Sequence, residues 1–438
     1  MHPSRAIRGR RSELLAGRRI LLGISGSIAA VEVIRIAREL IRHGAHVRAV
    51  MSPEATRIVT PEAIHFATGT APITRLTGEV EHVSWLGPGE DRADLLLLAP
   101  ATANTLSKIA HGIDDTAVTS CASMALGGGV PVLVAPAMHE HMARNPAVKE
   151  NLERLRGWRV ELIPSRSEEG EEKLATPEEV AAAVLHRLAR GPWVGRSVLV
   201  VGGASREPID EVRSVTNESS GAMAVALATA AHYRGARVEL WLGAHSHPVP
   251  SFLPLTRWHR TEELIRMLRT APGVPAGLAA VWVPAALADF VPEASTGKIP
   301  SRERRELTLR LLRAPKVLPE IRRLVPAPAL LIGFKLEAGI PLAELLRRAK
   351  ELREEHGLDY VVANESAALG AQTTSVHLLH PDGRLSPFSG PKGEVGGKLL
   401  DAVGRELPRD GRPPTGRGPI PPSRRRSAVP AKSAPTAP

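Results

Sequence analysis

The first half of the chain alternates short apolar runs with amphipathic stretches. An apolar run at 19–24 ends in Ser-Gly-Ser, a helical pattern follows from Ile28 to Arg42, and HVRAVM at 46–51 restarts a strand. Further strands are predicted at 95–99, 130–135 and 158–163, and further helices at 101–112 and 177–189. Strands that alternate with helices predict a parallel sheet covered on both faces.

A second strand and helix series begins after ARGPWVGRS at 189–197, which we interpret as a joint. Its helix is predicted at 219–235, and its strands at 197–203, 236–243, 279–286, 329–334 and 359–364. A hairpin follows, with Asp382-Gly383 at its turn. The expected fold class is α/β, with two Rossmann-like three-layer α/β/α domains, mainly parallel sheets and disordered basic termini.

Charge is concentrated at the two ends of the chain. Of the formal net charge of +11, residues 1–19 carry +5 and residues 405–438 carry +6, so the body between them is neutral. Basic ends without helical periodicity do not favour a specific nucleic-acid reader. The expected division is a basic arm at 1–17, domains at 18–190 and 191–403, and a disordered Pro- and Arg-rich tail at 404–438.

The composition excludes several classes of protein. A single cysteine rules out an internal disulfide framework and a cysteine-based zinc site. It fits a reducing compartment, so we expect a cytoplasmic protein. The Arg-rich N-terminus is not followed by the apolar segment of a secretory signal. The best apolar run, at 277–290, is too short and too broken by proline to span a membrane.

Small polar residues follow two predicted strands of the first half. In GISGSIAA at 23–30, glycine permits a tight turn, and serine hydroxyls and helix amides can hold a phosphate. The spacing is not GxGxxG and no acidic residue closes the second strand, which favours a mononucleotide such as a flavin phosphate. Thr102 and Asn104 follow the strand at 95–99, where α/β sheets bind ligands. A plain strand-to-helix turn and a helix cap are the alternatives.

Histidines occur in two further segments. The loop after the strand at 130–135 carries Met138, His139 and His141 in quick succession. A metal would need a third ligand, and His-x-His on a loop is not the i, i+4 pair of a helical zinc site, so a metal is left as unknown. His82, in EHVSWL, is a lone histidine, and such residues are more often structural or exposed than catalytic.

The ordered motifs of the first half resemble the flavin-containing cysteine decarboxylases, in particular the phosphopantothenoylcysteine decarboxylase domain, over about residues 18–190. They are GISGSIAA, the Ser52-Pro-Glu-Ala turn, His82, APATANT, Gly112-Ile-Asp-Asp115 and APAMHEHMARNP. The resemblance implies FMN as cofactor, His82 as the base in thiol oxidation, and Met138 and His139 on a loop that closes over the substrate. The implied cofactor-binding residues are Ser25, Gly26, Ser27, Ile28, Ser52, Thr102 and Asn104.

The chemistry explains why such an enzyme needs a flavin. Loss of CO₂ from an amide-linked cysteine leaves a carbanion that nothing delocalises. Oxidation of the thiol to a thioaldehyde by the flavin makes the C=S group an electron sink. Loss of CO₂ then gives an enethiolate, which is protonated and reduced by the reduced flavin.

Two departures from the decarboxylase pattern stand out. His139 replaces the usual loop asparagine, although its ring can still donate a hydrogen bond to a carboxylate. The usual flap cysteine, which protonates the enethiolate, is absent from PSRSEEGEEKLATPEE, so the candidates are Glu168, Glu169 and Lys173. Cys121 lies elsewhere, in an apolar segment, and is expected to be a packed thiol.

Polar connections also mark the second half. Ser219-Ser220-Gly221 can cap the following helix and hold an anion, and Arg206 and Arg213 can face a phosphate or carboxylate. Asp289 and Lys298 follow a strand and suit a nucleotide with its metal. Solvated arginines and a surface salt bridge are the alternatives.

Residues 197–403, approximately, resemble phosphopantothenate–cysteine ligase. The motifs are REPIDEVRSVTNESSG, AALADF, GKIPS, IGFKLEAG and DYVVAN with the HLLHPDG hairpin. The resemblance implies that CTP, with Mg²⁺, converts the phosphopantothenate carboxylate into an acyl-CMP, which the cysteine amine attacks. It implies that Asn217 and Arg213 hold this intermediate, that Ser219 and Ser220 bind substrate, and that Lys298 stabilises charge. The implied nucleotide-binding residues are Ala285, Asp289, Lys298, Pro315, Lys316, Val317, Leu318, Phe334 and Lys350.

Two departures leave the nucleotide, CTP or ATP, open. Ala222 stands where the ligases have a lysine, and Glu354 stands where a second lysine is expected one turn after Lys350. The two resemblances together imply consecutive steps of coenzyme A synthesis in a homo-oligomer built from trimers and dimers, and a dodecamer is one assembly of that kind. There are two alternatives. One is a ligase whose flavin domain has lost decarboxylation and only supports the oligomer. The other is a flavin- or nucleotide-binding regulator whose basic arms bind nucleic acid.

Overall fold

The computed structural model describes residues 2–168, 171–270, 277–300, 302, 306–325, 328–365 and 372–407. The expectation of a disordered tail at 404–438 is wrong for residues 404–407, because Leu407 is 5% exposed in an apolar core of the second half. From position 408 onward the tail lies outside the described residues. In the described ranges, no helix combines the length and the apolar character needed to cross a bilayer.

The first half is a five-stranded parallel sheet between two layers of helices, as the alternating pattern predicts. Its strand order is β2-β1-β3-β4-β5. The strands are β1 Arg19–Ile24, β2 His46–Met51, β3 Leu95–Ala101, β4 Val132–Pro136 and β5 Glu161–Leu162, with a separate hairpin of β6 Arg166–Glu168 and β7 Glu171–Lys173. The helices are α1 Pro3–Ala6, α2 Val33–Arg42, α3 Pro53–Thr56, α4 Pro61–Thr68, α5 Glu81–Leu86, α6 Ala103–Ala110, α7 Ala117–Gly128, α8 Glu140–Ala143, α9 Pro146–Gly157 and α10 Pro177–Leu188, and Ile28–Glu32 forms a 3-10 helix before α2.

The second half is an eight-stranded sheet that is parallel except for the hairpin at one edge. Its order is β12-β11-β8-β13-β16-β17-β18-β19. The strands of the second half are β8 Ser197–Gly202, β9 Arg206–Pro208, β10 Ser214–Thr216, β11 Arg237–Leu242, β12 Leu255–Arg257, β13 Leu278–Val283, β14 Phe290–Pro292, β15 Leu311–Arg313, β16 Leu330–Glu337, β17 Tyr360–Glu365, β18 Thr373–Leu379 and β19 Leu385–Pro391. Its helices are α11 Ala222–Tyr233, α12 Thr261–Thr270, α13 Val317–Leu324, α14 Leu342–His356 and α15 Lys392–Gly404.

Each sheet separates two apolar cores, which confirms the three-layer α/β/α prediction. In the first half, α2 and α10 contribute to one core, and α6 and α7 to the other. In the second half, α11 and α15 cover one face, whereas α12, α13 and α14 cover the other. Strands buried on both faces read as continuous apolar runs, and Leu95, Leu96 and Leu97 are fully buried.

The prediction of a flexible basic arm at 1–17 is wrong for its described residues. Leu15 is fully buried in the first core, and the Ser12 hydroxyl lies 2.7 Å from the His43 ring. Arg11 forms an ion pair with the buried Glu39 of α2. The charge count led to the expectation of a disordered arm, but tertiary partners that are distant in sequence hold the segment against α2.

The predicted joint at 189–197 is a packed contact between the two halves. Trp193 is 1% exposed within the core under α11 and α15, and its indole N–H donates to the Leu400 carbonyl at 2.9 Å. The rings of His186 on α10 and His232 on α11 stack with centroids 4.5 Å apart. Burial lowers the pKa of His232 to about 4, so this ring is neutral at physiological pH.

Candidate functional sites

The first candidate site lies where the strand order of the first sheet changes direction. From the adjacent strands β1 and β3, the chain continues to β2 on one side and to β4 on the other. Such a switch point opens a crevice outside the carboxyl ends of the strands, and flavodoxin-like sheets of this order bind FMN there. The loops that carry Ser25 and Thr102 emerge at this point, as the sequence predicted.

Ser25 joins these two loops. Its hydroxyl donates to the Pro100 carbonyl at 2.7 Å and accepts from the Thr102 amide at 2.9 Å, and the side chain is 1% exposed. This hydroxyl therefore shapes the crevice. The Ser27, Ser52 and Thr102 side chains each cap the helix that follows. The cap interpretation therefore holds for these residues, and each cap satisfies only one of the amides that lack a partner at the start of its helix.

The loop residues around Ser25 fit a flavin phosphate. A Cβ on Gly26 would lie 2.3 Å from the Glu54 Cβ, so only glycine lets the first loop approach the Ser52 turn this closely. Asn104 is exposed, and Ile28, which follows the Ser25 loop, is 77% exposed. Small residues, helix N-termini and exposed polar groups are a suitable donor set for a phosphate.

His82 lies on α5, which packs on α7. The turn before α5 is held by Glu81, whose carboxylate accepts hydrogen bonds from the amide and hydroxyl of Thr77 at 2.9 and 2.6 Å. These hydrogen bonds lower the pKa of Glu81. The Nδ1 atom of His82 is buried and has no hydrogen-bond partner among the described residues. No hydrogen bond or ion pair between described residues joins the His82 side chain to the loops that carry Ser25 and Thr102.

The loop after β4 holds Met138 against the core and leaves His139 exposed. His139 caps α8, and its Nδ1 accepts a hydrogen bond from the His141 amide at 3.2 Å. The two rings lie 5.0 Å apart between centroids. Across the described residues, no group of three or more potential metal-ligating side chains forms.

Cys121 is the packed thiol that the sequence predicted. It is fully buried on α7, and burial, followed by the nearby Asp114 and Glu81 carboxylates, raises the pKa of its thiol to about 12. Such a thiol neither ionises nor reaches a ligand at neutral pH. Of the candidate proton donors, Glu169 and the Glu168 side chain lie outside the described residues, whereas Lys173 lies on the β6–β7 hairpin.

The second candidate site is a cavity of about 670 Å³ above the carboxyl ends of β8, β13 and β16. It brings together ten of the residues for which the resemblance to the ligases implies a role in binding substrate or nucleotide. These are Asn217, Ser219, Ser220, Ala285, Asp289, Pro315, Lys316, Val317, Leu318 and Phe334. Its volume and mixture of apolar and charged lining suit a nucleotide-sized ligand.

Ser205 connects the loops of this cavity much as Ser25 does in the first half. Its amide donates to the Ala286 carbonyl at 3.2 Å, and its hydroxyl accepts from the Ala288 amide at 3.1 Å. The Asn217 side-chain amide donates to the Leu287 carbonyl at 3.0 Å. The sequence analysis did not single out Ser205, although a small polar residue after an apolar strand was a signal for it.

Three predicted ligase residues, Arg213, Lys298 and Lys350, do not line the cavity. Arg213 instead donates to the Asp210 carboxylate at 2.9 Å. Lys298 is exposed on a loop whose next residue, Ile299, donates its amide to the same carboxylate at 3.0 Å. Lys350 is exposed on α14.

Asp210 therefore fastens the loop of Lys298 to the β9–β10 hairpin. Burial would raise the pKa of this carboxyl, but hydrogen bonds from the Val212, Ile299 and Arg213 amides and the Arg213 charge lower it below its usual range. The carboxylate is thus ionised throughout the physiological pH range.

The cavity also has a polar wall that the sequence analysis missed. Asn364 on β17, Thr374 on β18 and Lys392 at the start of α15 line it together with Ala222. They come from separate elements late in the chain, and Lys392 and Thr374 belong to no motif. Only Asn364, at the end of the strand DYVVAN, had the position that signals a ligand-binding residue.

The two halves match two family models in chain order. Residues 8–189 match the flavoprotein family, and residues 193–406 match the DNA/pantothenate metabolism flavoprotein C-terminal domain. A flavoprotein domain followed by this second domain defines the class of protein. The FMN-dependent cysteine decarboxylase SpaF is a similar solved structure, 31% identical, which covers 39% of this chain and 99% of its own with a TM-score of 0.34.

Full-length relatives identify the family. The chain is 42% identical to the coenzyme A biosynthesis bifunctional protein CoaBC of Thermococcus kodakarensis, over 93% of this chain and 100% of the relative. It is 35% identical to CoaBC of Methanocaldococcus jannaschii, over 92% of this chain and 97% of the relative. The chain belongs to the CoaBC family of bifunctional coenzyme A biosynthesis proteins.

Proposed function

We propose that the chain catalyses two consecutive steps of coenzyme A synthesis. The half at 191–403 joins 4′-phosphopantothenate to cysteine, and the half at 18–190 decarboxylates the product to 4′-phosphopantetheine. The observation that carries the proposal is the second-half cavity, in which ten residues predicted for this chemistry converge from separate loops. Family membership, with relatives that span nearly the whole chain, supports the pairing of both activities.

In the ligase half, the chemical difficulty is that a carboxylate is a poor electrophile. Transfer of a nucleotidyl group from CTP gives an acyl-CMP, whose phosphate is a stable leaving group for attack by the cysteine amine. We assign Asn217 to hold the acyl-nucleotide and Asp289 to contact the nucleotide with Mg²⁺. Phe334 and the segment 315–318 form the apolar wall for the base.

Lys298 acts from the loop that Asp210 fastens, and Arg213 lies on the β9–β10 hairpin to which that loop is fastened. Because Arg213 is paired with Asp210 and Lys298 is exposed, we assign Arg213 to positioning and Lys298 to charge stabilisation once substrate binds. The ion pair of Lys316 with Asp289 keeps a cation beside the proposed metal-binding carboxylate.

In the decarboxylase half, the switch-point crevice would hold FMN through the loops of Gly26, Ser52 and Thr102. The flavin, when bound, supplies the two-electron chemistry that makes loss of CO₂ possible. His82 removes the thiol proton, and Met138 and His139 contact the cysteine-derived end of the substrate. Cys121 has no role in proton transfer because its thiol is buried.

The test of both activities is product analysis. Purified chain is incubated anaerobically with phosphopantothenate, cysteine, Mg²⁺ and either CTP or ATP, and the products are identified by mass spectrometry. We expect phosphopantetheine with CTP, together with CMP and pyrophosphate. Phosphopantothenoylcysteine that accumulates without CO₂ release would support the scaffold alternative. No product with either nucleotide would overturn the ligase assignment.

A homo-oligomer remains part of the proposal. Ile28 and Val31 are 77% and 53% exposed at the start of the helix beside the flavin crevice, and exposed apolar side chains of this kind commonly mark a protein interface. We expect a second copy of the chain to cover them, in a cytoplasmic assembly. Light scattering of the purified protein, with Ile28→Glu as the variant, measures the assembly size.

A further inference from the structure

A serine, a histidine and a glutamate form a chain of hydrogen bonds at one edge of the second sheet. The Ser386 Oγ atom lies 3.0 Å from His380 Nε2, and His380 Nδ1 lies 3.0 Å from Glu406 Oε1. Ser386 lies on β19, the last strand in the order of the sheet, whereas His380 follows β18 and Glu406 follows α15. All three lie apart from the described residues that line the second-half cavity.

The Glu406 carboxylate decides which nitrogen of the His380 ring carries the proton. Burial would raise the pKa of the Glu406 carboxyl, but hydrogen bonds, first from Tyr360 and then from His380, lower it below its usual range. An ionised carboxylate only accepts hydrogen bonds, so the His380 Nδ1 atom is the donor. In the neutral ring, Nε2 then has the lone pair that accepts the hydroxyl proton of Ser386.

Several elements hold the histidine and the glutamate in place. The His380 ring is 1% exposed and packs edge-on against the Tyr360 ring, with centroids 5.6 Å apart. The Tyr360 hydroxyl donates to Glu406 Oε2 at 2.5 Å, and Arg384 donates to Glu406 Oε1 at 2.7 Å. Ser386, in contrast, is partly exposed. The ring is therefore fixed and shielded from water, whereas the hydroxyl beside it lies at the surface.

We propose that Ser386 is a nucleophilic serine that accepts acyl groups from activated esters, with His380 as its general base and Glu406 as the residue that orients the base. A nucleophile and a base about 2.6–3.2 Å apart, with the base held by a third group, are typical of serine acyl transfer. This inference goes beyond the proposed function and does not depend on it.

The reaction needs no cofactor, oxidant or reductant. The Ser386 Oγ atom bonds to the carbonyl carbon of the ester while its proton moves to His380 Nε2. The bond from that carbon to the leaving oxygen breaks, and the leaving group takes the proton from His380. Water that attacks the acyl-serine with the help of the same base then releases the carboxylic acid and restores the hydroxyl.

Covalent labelling is the first test. The purified full-length chain is treated with phenylmethylsulfonyl fluoride, whose sulfur bonds to the oxygen of an activated serine with loss of fluoride, and peptide mass spectrometry locates the adduct. We expect Ser386 to be labelled in the folded chain and not in urea, because only the fold brings His380 to the hydroxyl. Ser389→Ala, which removes an exposed serine of the same strand, is the matched control and should be labelled like the wild type.

Two variants test the roles of the histidine and the glutamate. We expect labelling of Ser386 to slow about 100-fold in His380→Gln, which lacks the base. Glu406→Gln should slow it as well, because an amide can donate to Nδ1 and then leaves the ring proton on Nε2. Circular dichroism checks that each variant is folded. If His380→Gln does not fold, Glu406→Gln, at a partly exposed position, makes the same comparison.

An ester substrate tests acyl transfer itself. The folded chain should release 4-nitrophenolate from 4-nitrophenyl acetate, and Ser386→Ala should lose this release while Ser389→Ala keeps it. A network that only fastens the end of α15 to the β18–β19 hairpin predicts neither labelling nor release. No adduct at Ser386 in the folded wild type, equal labelling in a folded base variant, or equal release by Ser386→Ala would overturn the proposal.

Discussion

The Ser25 hydroxyl donates a hydrogen bond to the Pro100 carbonyl at 2.7 Å and thereby ties the loop after β1 to the loop after β3. In Ser25→Ala, the Pro100 carbonyl and the Thr102 amide lose a buried partner. We expect the free energy of unfolding to fall by about 1–3 kcal/mol and flavin to bind more weakly. Urea unfolding and flavin fluorescence titration measure the two effects. Unchanged flavin affinity would show that the crevice does not depend on this link.

Glu39 should make the stability of the first half depend on pH in the acid range. Burial alone would raise its pKa, but hydrogen bonds and charge from His43 and Arg11 lower it to about 2. Because the folded-state pKa is depressed, the stabilisation is fully present above about pH 4.5 and is lost as the pH falls toward 2. We expect Glu39→Gln to cost about 2–3 kcal/mol at pH 7.

Urea unfolding of both forms across this pH range is the measurement. The difference in the free energy of unfolding between the wild type and Glu39→Gln should stay constant from pH 7 to about 5 and become smaller below that pH. Glu32→Gln is the control on the same segment, because its pair with Arg35 is exposed and should contribute less than about 0.5 kcal/mol. A difference in unfolding free energy that does not change with pH would contradict the lowered pKa of Glu39.

Cys121 should be inert in the folded protein. Since burial raises the pKa of the thiol to about 12, we expect iodoacetamide at pH 8 to leave the native chain unmodified and to alkylate it fully in denaturant. Mass spectrometry counts the adducts. Cys121→Ala should retain CO₂ release, and loss of that activity in a folded variant would mean that the thiol takes part in proton transfer.

His82→Gln should separate the two activities. If His82 is the base, we expect CO₂ release from phosphopantothenoylcysteine to fall about 100-fold or more, with flavin content and ligation unchanged. The exposed His111, changed to Gln, is the matched control. Decarboxylation by His82→Gln at the rate of the wild type would show that His82 is not the base.

Asp210→Asn should release the loop of Lys298. The variant loses the ion pair with Arg213 and weakens the hold on Ile299, so we expect kcat/KM of ligation to fall between about tenfold and a hundredfold while decarboxylation stays unchanged. Glu262→Gln, an exposed acid on α12, is the control. Because the pKa of Asp210 lies below the usual range, the loop should stay fastened until the pH falls below that of an ordinary carboxyl.

Much of the architecture was predictable because buried strands and tight turns have characteristic residue patterns over short stretches of the sequence. The strand at 95–99 and the hairpin around Asp382-Gly383 were predicted correctly from apolar runs and turn chemistry. The predicted strand at 158–163 shortens to Glu161–Leu162, since Arg159 takes a positive φ of 64° and pairing with β4 begins only after it. A turn of this kind leaves no periodic signal.

By itself, the sequence determined the order of strands and helices, the α/β class, the loops that follow the strands, and the apolar setting of Cys121. Each of these depends on residues that are close together along the chain. The tertiary structure alone decided that residues 2–17 dock on α2, that Arg213 pairs with Asp210, and that Thr374 and Lys392 reach the cavity. Such contacts depend on which elements become neighbours, and that is set by pairing and packing between residues far apart in the sequence.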